Sequence, residues 1–134
     1  MAELLELEVA SPERQLVHEQ VAEVQIPGRD GYLGILPGHA PLLSELATGF
    51  MHYTVNGRRW YLAIHGGFLE VMDNHVRVLA DMAEKAEEID VERARTALRR
   101  AEEQLVNPAL GVEPAAALEQ MKRNQARLEA AAHK

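Results

Sequence analysis

The sequence predicts a β-plus-α chain, an N-terminal antiparallel β-sandwich or barrel followed by a C-terminal antiparallel α-helical hairpin. Three observations carry that prediction. From Leu4 to Asp81, short apolar segments alternate with period two between turn residues; two of the turns are Asn-Gly and Asp-Asn. After Asp81 the composition shifts to Ala, Glu, Arg and Leu, with apolar residues at three- and four-residue steps. Two domains are therefore expected, residues 1–84 and residues 85–134.

Within the first domain, Leu5, Leu7 and Val9 alternate with Glu6 and Glu8, so that one face of a strand is apolar. Met51, Tyr53 and Val55 repeat the pattern. Asn56-Gly57 separates them from Arg58–Ile64, and both residues take the positive φ of a type I′ turn at low cost, which predicts a tight hairpin. Asp73-Asn74 does the same between Phe68–Met72 and His75–Leu79. Many short strands with turn signals at this spacing indicate a sandwich or barrel.

Asp90 suits the N-cap of the first helix and Glu92 complements the positive end of its dipole. Val91, Ala94, Leu98, Ala101 and Leu105 form one apolar seam. Asn107-Pro108 through Gly111 stops the helix, and Pro114 fits the first turn of another, where a missing N–H costs nothing. The expected seam of that second helix is Leu118, Met121, Gln125, Leu128 and Ala132. Seams built largely of alanine bury little area, at ~25 cal/mol per Å², so the hairpin is expected to be conditionally stable and able to undock.

The chain of 134 residues is 47% apolar, enough for one modest core, and no apolar run nears the ~20 residues a membrane-spanning helix needs. Met1-Ala2-Glu3-Leu4 lacks the basic start of a secretory signal, so a soluble cytoplasmic chain without membrane insertion is expected. With no cysteine, thiolate catalysis, disulfides and cysteine-ligated zinc are excluded. A formal charge of −7 argues against nucleic-acid binding, which relies on Lys and Arg displacing phosphate counterions. Residues 1–84 carry 12 acidic and 5 basic side chains, whereas 85–134 carry 9 of each. The first half is the acidic one, suited to solubility or to a basic partner surface.

No catalytic motif survives inspection. His65-Gly66-Gly67-Phe68 is similar to the oxyanion segment of some lipases, but Ser11 and Ser44 do not lie in a nucleophile elbow, and the glycines read as a close approach between strands. Gly28, Gly31 and Gly34 belong to no P-loop or dinucleotide fingerprint. The histidines, at 18, 39, 52, 65, 75 and 133, are scattered, without the helical i,i+4 pairing or nearby carboxylate typical of a metal site, so no metal is expected.

Gly31-Tyr32-Leu33-Gly34-Ile35-Leu36-Pro37-Gly38-His39-Ala40-Pro41-Leu42-Leu43 closely resembles the signature loop and strand of the epsilon subunit of bacterial F-type ATP synthases. Gly66-Gly67-Phe68-Leu69-Glu70-Val71 and Val78-Leu79-Ala80-Asp81 follow at that family's distances. The resemblance spans essentially the whole chain. It implies a non-catalytic central-stalk subunit at the cytoplasmic face of the plasma membrane, coupling rotation of the c-ring to ATP synthesis in the catalytic head. By the same resemblance a sandwich face grips the gamma subunit, and the loop at Gly31, Tyr32 and His39 meets the c-ring. Tyr32 and His39 either contact that partner or simply cover the core.

Ile89-Asp90-Val91-Glu92-Arg93-Ala94 resembles the motif with which some members of the family bind ATP in the folded hairpin. Glu84, Arg100, Arg123 and Arg127 match the rest of that arrangement. ATP is then a regulatory ligand and no cofactor is required. Arg93 and Arg100 share one side of the first helix and Arg123 and Arg127 are i,i+4 on the second, so four guanidiniums are placed to converge on phosphates. On a plainer reading Asp90 caps its helix and the arginines pair with Glu102, Glu103 and Glu119 in solvent. The family also implies an extended hairpin that reaches the alpha/beta catalytic head and inhibits hydrolysis. A free-standing ATP-sensing protein with the same hairpin is the alternative.

Overall fold

The computed structural model describes residues 3–134, and both expected parts are present. Eight strands come first: β1 (Leu5–Ala10), β2 (Gln15–Val21), β3 (Glu23–Gly28), β4 (Gly31–Ile35), β5 (Leu42–Val55), β6 (Arg58–Met72), β7 (His75–Ala80) and β8 (Ala83–Lys85). A 3₁₀ turn at Ala86–Glu88 leads into α1 (Val91–Val106), and another at Pro108–Leu110 separates α1 from α2 (Pro114–Ala131).

The strand order is β2-β1-β7-β6-β5-β3-β4, with β8 also on β6. Pairing is antiparallel except between β1 and β7, which run parallel and so join the start of the sandwich to its end. β5 and β6 are long enough to serve both layers, and the sheet closes over one core. Leu5, Leu7, Ile26, Ile35, Met51 and Leu69 are among its fully buried side chains, each worth about 1.5–3 kcal/mol of burial.

The two tight turns have the backbone their residues foretell. Asn56 and Gly57 lie at φ 52° and 79°, Asp73 and Asn74 at 49° and 62°, all in the left-handed region of a type I′ turn. β6 changes partner along its length: Leu62–Ile64 pair with β8 and Gly67–Met72 with β7. The change falls at Gly66-Gly67, with φ 77° and 123°. A Cβ on Gly67 would sit 2.2 Å from the Leu79 carbonyl oxygen, so this is the close strand approach read from the sequence.

Two expectations are corrected. Helix does not follow Asp81 directly: β8 and the 3₁₀ turn intervene, because three residues alongside Leu62–Ile64 complete the edge of β6. The seam of α2 is also different, since Leu118, Gln125 and Ala132 are exposed while Ala117, Asn124, Ala126, Ala130 and Ala131 are buried. The helix packs on α1 and, at the same time, across β5 and β6. Two contact faces divide its circumference, and only small side chains let the backbone approach both. Ala126, Ala130 and Ala131 join Ala63 and Ile89 in a second small core, flanked by Phe50 and Tyr61.

The first helix begins as expected, with the Asp90 carboxylate accepting from Arg93 N–H at 3.1 Å. Its buried seam is only Ala94 and Ala101. No described helix is long and apolar enough to cross a membrane.

Candidate functional site

A cleft of about 390 Å³ opens where α1 and α2 meet the β8 edge of the sandwich. Of the residues singled out in the sequence, it brings together Glu84, Ile89, Asp90, Arg93, Ala94 and Arg127. Arg100 and Arg123 do not line it. Arg100 is exposed two turns beyond Arg93, and Arg123 lies one turn before Arg127 with its Nε 3.3 Å from Glu119 Oε1. Of the four guanidiniums expected to converge, Arg93 and Arg127 line the cleft and Arg100 and Arg123 do not.

Asn124, Gln120, Ala97 and Glu88 complete the lining, and none of them was singled out in the sequence. Asn124 carries the most structural weight. It is 1% exposed, donates to the Gln120 carbonyl at 2.8 Å and accepts from Arg127 Nη1 at 3.0 Å. Both ends of its amide are satisfied, and its carbonyl aims Arg127. An asparagine three residues before an arginine, in an otherwise alanine-rich run, was the available signal.

Arg127 reaches across to the sandwich, where its Nε donates to Glu84 Oε1 at 2.7 Å. His65 Nε2 on β6 lies 2.9 Å from the same oxygen. Burial by itself would raise the Glu84 carboxyl, but the hydrogen bonds from His65 and Arg127, with the attraction of their charge, lower it to about 2. His65 Nδ1 is buried and has no hydrogen-bond partner among the described residues, so Glu84 is the polar contact of this ring. Glu88 is engaged from the opposite side, taking both forks of Arg14 at 2.8 and 3.0 Å. The Arg14 hydrogen bond holds its carboxyl below the usual range.

Two of the three carboxylates at the cleft are thus already paired, while Asp90 is spent on its helix cap. Arg93 makes no ion pair among the described residues, leaving its guanidinium available at the rim. Docking of α2 is completed at its far end by His133 stacked on Tyr61 at 4.1 Å and by Lys134 Nζ donating to the Ile89 carbonyl at 2.8 Å.

The Gly31–Leu43 region lies elsewhere on the sandwich. The Tyr32 hydroxyl accepts from Phe50 N–H at 3.2 Å and its ring leans on Phe50, yet 48% of the residue stays exposed. His39 is half-buried, with Nδ1 2.7 Å from the Ala40 carbonyl oxygen. Gly31 is exposed at φ 133°. Gly38 N–H donates to Asn74 Oδ1 at 2.7 Å, so the loop is pinned to the β6–β7 turn. The result is a rigid edge that still presents Tyr32.

Comparison with known proteins places these features. A family model described as "ATP synthase, Delta/Epsilon chain, beta-sandwich domain" matches residues 4–86, and one described as "long alpha-helix domain" of the same chain matches residues 87–132. The ATP synthase epsilon chain of Solibacter usitatus is 59% identical over 128 residues, 96% of each chain. That of Koribacter versatilis is 50% identical over 105 residues, 78% of this chain and 74% of the relative. Among solved structures, a chain of the Euglena gracilis mitochondrial ATP synthase OSCP/F1/c-ring assembly superposes with a TM-score of 0.84 at 28% identity, covering 99% of this chain and 84% of that one.

Proposed function

The chain belongs to the ATP synthase delta/epsilon family, among the bacterial epsilon chains, which are non-catalytic subunits of the central stalk, and from that premise we propose a division of labour between its two parts. The sandwich is the fixed coupling: one face grips the gamma subunit, and the pinned edge at Gly31, Tyr32 and His39 meets the c-ring at the cytoplasmic face of the membrane. A pinned loop suits torque transmission, since a contact that is already ordered loses little entropy on docking. Reconstituted complexes lacking this chain are expected to lose proton-driven ATP synthesis. Synthesis at the full rate without it would contradict the coupling role.

The hairpin is the regulatory part, and ATP bound in its cleft favours the folded state. The observation that carries this reading is the convergence of Glu84, Ile89, Asp90, Arg93, Ala94 and Arg127 on one cavity of small-molecule size. Arg93 offers a fork to the phosphates with Arg127 beside it in the same cleft, while Arg100 and Arg123, which do not line it, would have to swing toward a bound chain of phosphates. Should Arg127 turn to phosphate, Glu84 keeps His65 as a donor. Ligand favours the folded hairpin only through its higher affinity for that state, and the released helices would extend toward the alpha/beta head and restrain hydrolysis.

Titration of the full chain with ATP should therefore slow amide exchange in residues 91–131, and Arg93→Ala should weaken binding about tenfold, the loss of one charge-assisted contact of ~1.5 kcal/mol. Arg93 is the clean probe because it holds no ion pair among the described residues. Unchanged exchange at millimolar ATP, or an Arg93→Ala variant that binds like the parent, would refute nucleotide sensing and leave the stalk role standing.

A further inference from the structure

We propose that Glu6, Glu8 and His18 form a divalent transition-metal site, of the class that takes Zn²⁺, on the outer face of the β1–β2 pair. The expectation that no histidine stands near a carboxylate is overturned by the sheet register. Leu5, Leu7 and Val9 point into the core at 0% exposure, so Glu6 and Glu8 share the outward face two residues apart. Antiparallel pairing then sets His18 directly opposite Glu8. Its Nε2 lies 3.0 Å from Glu6 Oε1 and 3.6 Å from Glu8 Oε1, and the three atoms all fall within 4.8 Å of one another.

Those separations accommodate a metal ion as well as the hydrogen bond between His18 and Glu6. A single N–H donates well to one acceptor, and at 3.6 Å the second carboxylate is beyond hydrogen-bond reach. Four ligand atoms at bond lengths of about 2.0–2.1 Å around zinc stand roughly 3.3 Å apart, so the two measured edges bracket the tetrahedral value. The third edge closes by rotation of two long glutamate side chains. One imidazole and two carboxylates, with water in the fourth place, are a borderline donor set that Zn²⁺ accepts.

An outer shell is already present. Arg77 Nε on β7 is 3.3 Å from Glu8 Oε2, which holds that carboxylate with Oε1 turned toward His18. His75 Nε2 is 3.4 Å from Oε2, buried and without a hydrogen bond. It flanks the site from the Arg77 side and is not one of the three ligands. A bound ion would neutralise two adjacent carboxylates and staple the edge strand β2 to β1.

Zn²⁺ titrated calorimetrically into the full chain, purified without a histidine tag, is expected to bind once per chain in the micromolar range. His18→Ala should weaken binding by about tenfold or more, and the nearly isosteric Glu6→Gln, which leaves the fold intact, should do likewise. His75→Ala should change it by no more than about twofold. Binding only near millimolar Zn²⁺, smaller losses in His18→Ala and Glu6→Gln, or a His75→Ala loss equal to that of His18→Ala would overturn the assignment.

Discussion

Gly67→Ala is expected to destabilise the sandwich by about 3 kcal/mol or more, the sum of a left-handed backbone strained by a side chain and an overpacked strand contact. At φ 123° the residue occupies backbone space that L side chains rarely adopt. The added Cβ would stand 2.2 Å from the Leu79 carbonyl oxygen and 2.7 Å from Ala80 Cα. Neither neighbour is a flexible side-chain tip that can swing away: both are backbone of β7, where Ala80 is in register with Gly67 and Leu79 with Phe68. For a domain of this size the loss corresponds to a fall in Tm of roughly 10–20 °C. Gly34→Ala is the matched control, because its Cβ would meet nothing within 4 Å and its backbone is unstrained. Urea unfolding of the two variants settles the point; equal midpoints would show that β6 and β7 can part without cost.

The second large effect concerns the fastening of the hairpin to the sandwich. Arg127→Ala leaves Glu84 with His65 alone and removes the acceptor-bound partner of the buried Asn124. Breaking a fully buried ion pair costs about 3–5 kcal/mol; with 21% and 28% of the two side chains exposed, about 2 kcal/mol is expected here. Little else resists release, since α2 otherwise docks through alanines, the Tyr61–His133 stack and a few hydrogen bonds. Amide exchange in residues 114–131 should accelerate roughly thirtyfold while β1, β5 and β7 stay as protected as before. Acceleration of the strands along with the helix would mean that the two parts open together.

Acid should act on the same fastening. The Glu84 carboxyl is lowered from 4.5 to about 2, so the folded, docked state binds its proton less readily than the free chain does. The stabilisation is fully present above pH 4.5 and is lost as the pH falls toward 2. Glu84→Gln should remove this part of the pH dependence, leaving the hairpin equally loose at pH 6 and pH 3. A variant whose hairpin loosens over that range as steeply as the parent's would place the acid sensitivity elsewhere.

Features carried by adjacent residues are legible in the sequence itself. Asn56-Gly57 and Asp73-Asn74 specify their turns because positive φ is a local property of those side chains. The inward Leu5, Leu7 and Val9 follow from the two-residue pleat, and the Asp90 cap from a hydrogen bond three residues long. The family motif, being a contiguous string, was legible for the same reason. So was the Ile89–Ala94 segment, which does line the cleft.

What only the tertiary structure decided depends on which segments meet. Strand β8 is three residues long and exists because β6 has an open edge there. The buried face of α2 is set by two partners at once, so its seam departs from the simple apolar repeat. His65 and Glu84 are nineteen residues apart, Glu84 and Arg127 forty-three, and Glu6 and His18 twelve; register and helix docking bring each pair within 3.0 Å. Local propensity acts through neighbours along the chain, whereas these side chains became neighbours only after the sheet closed and the helix lay down on it.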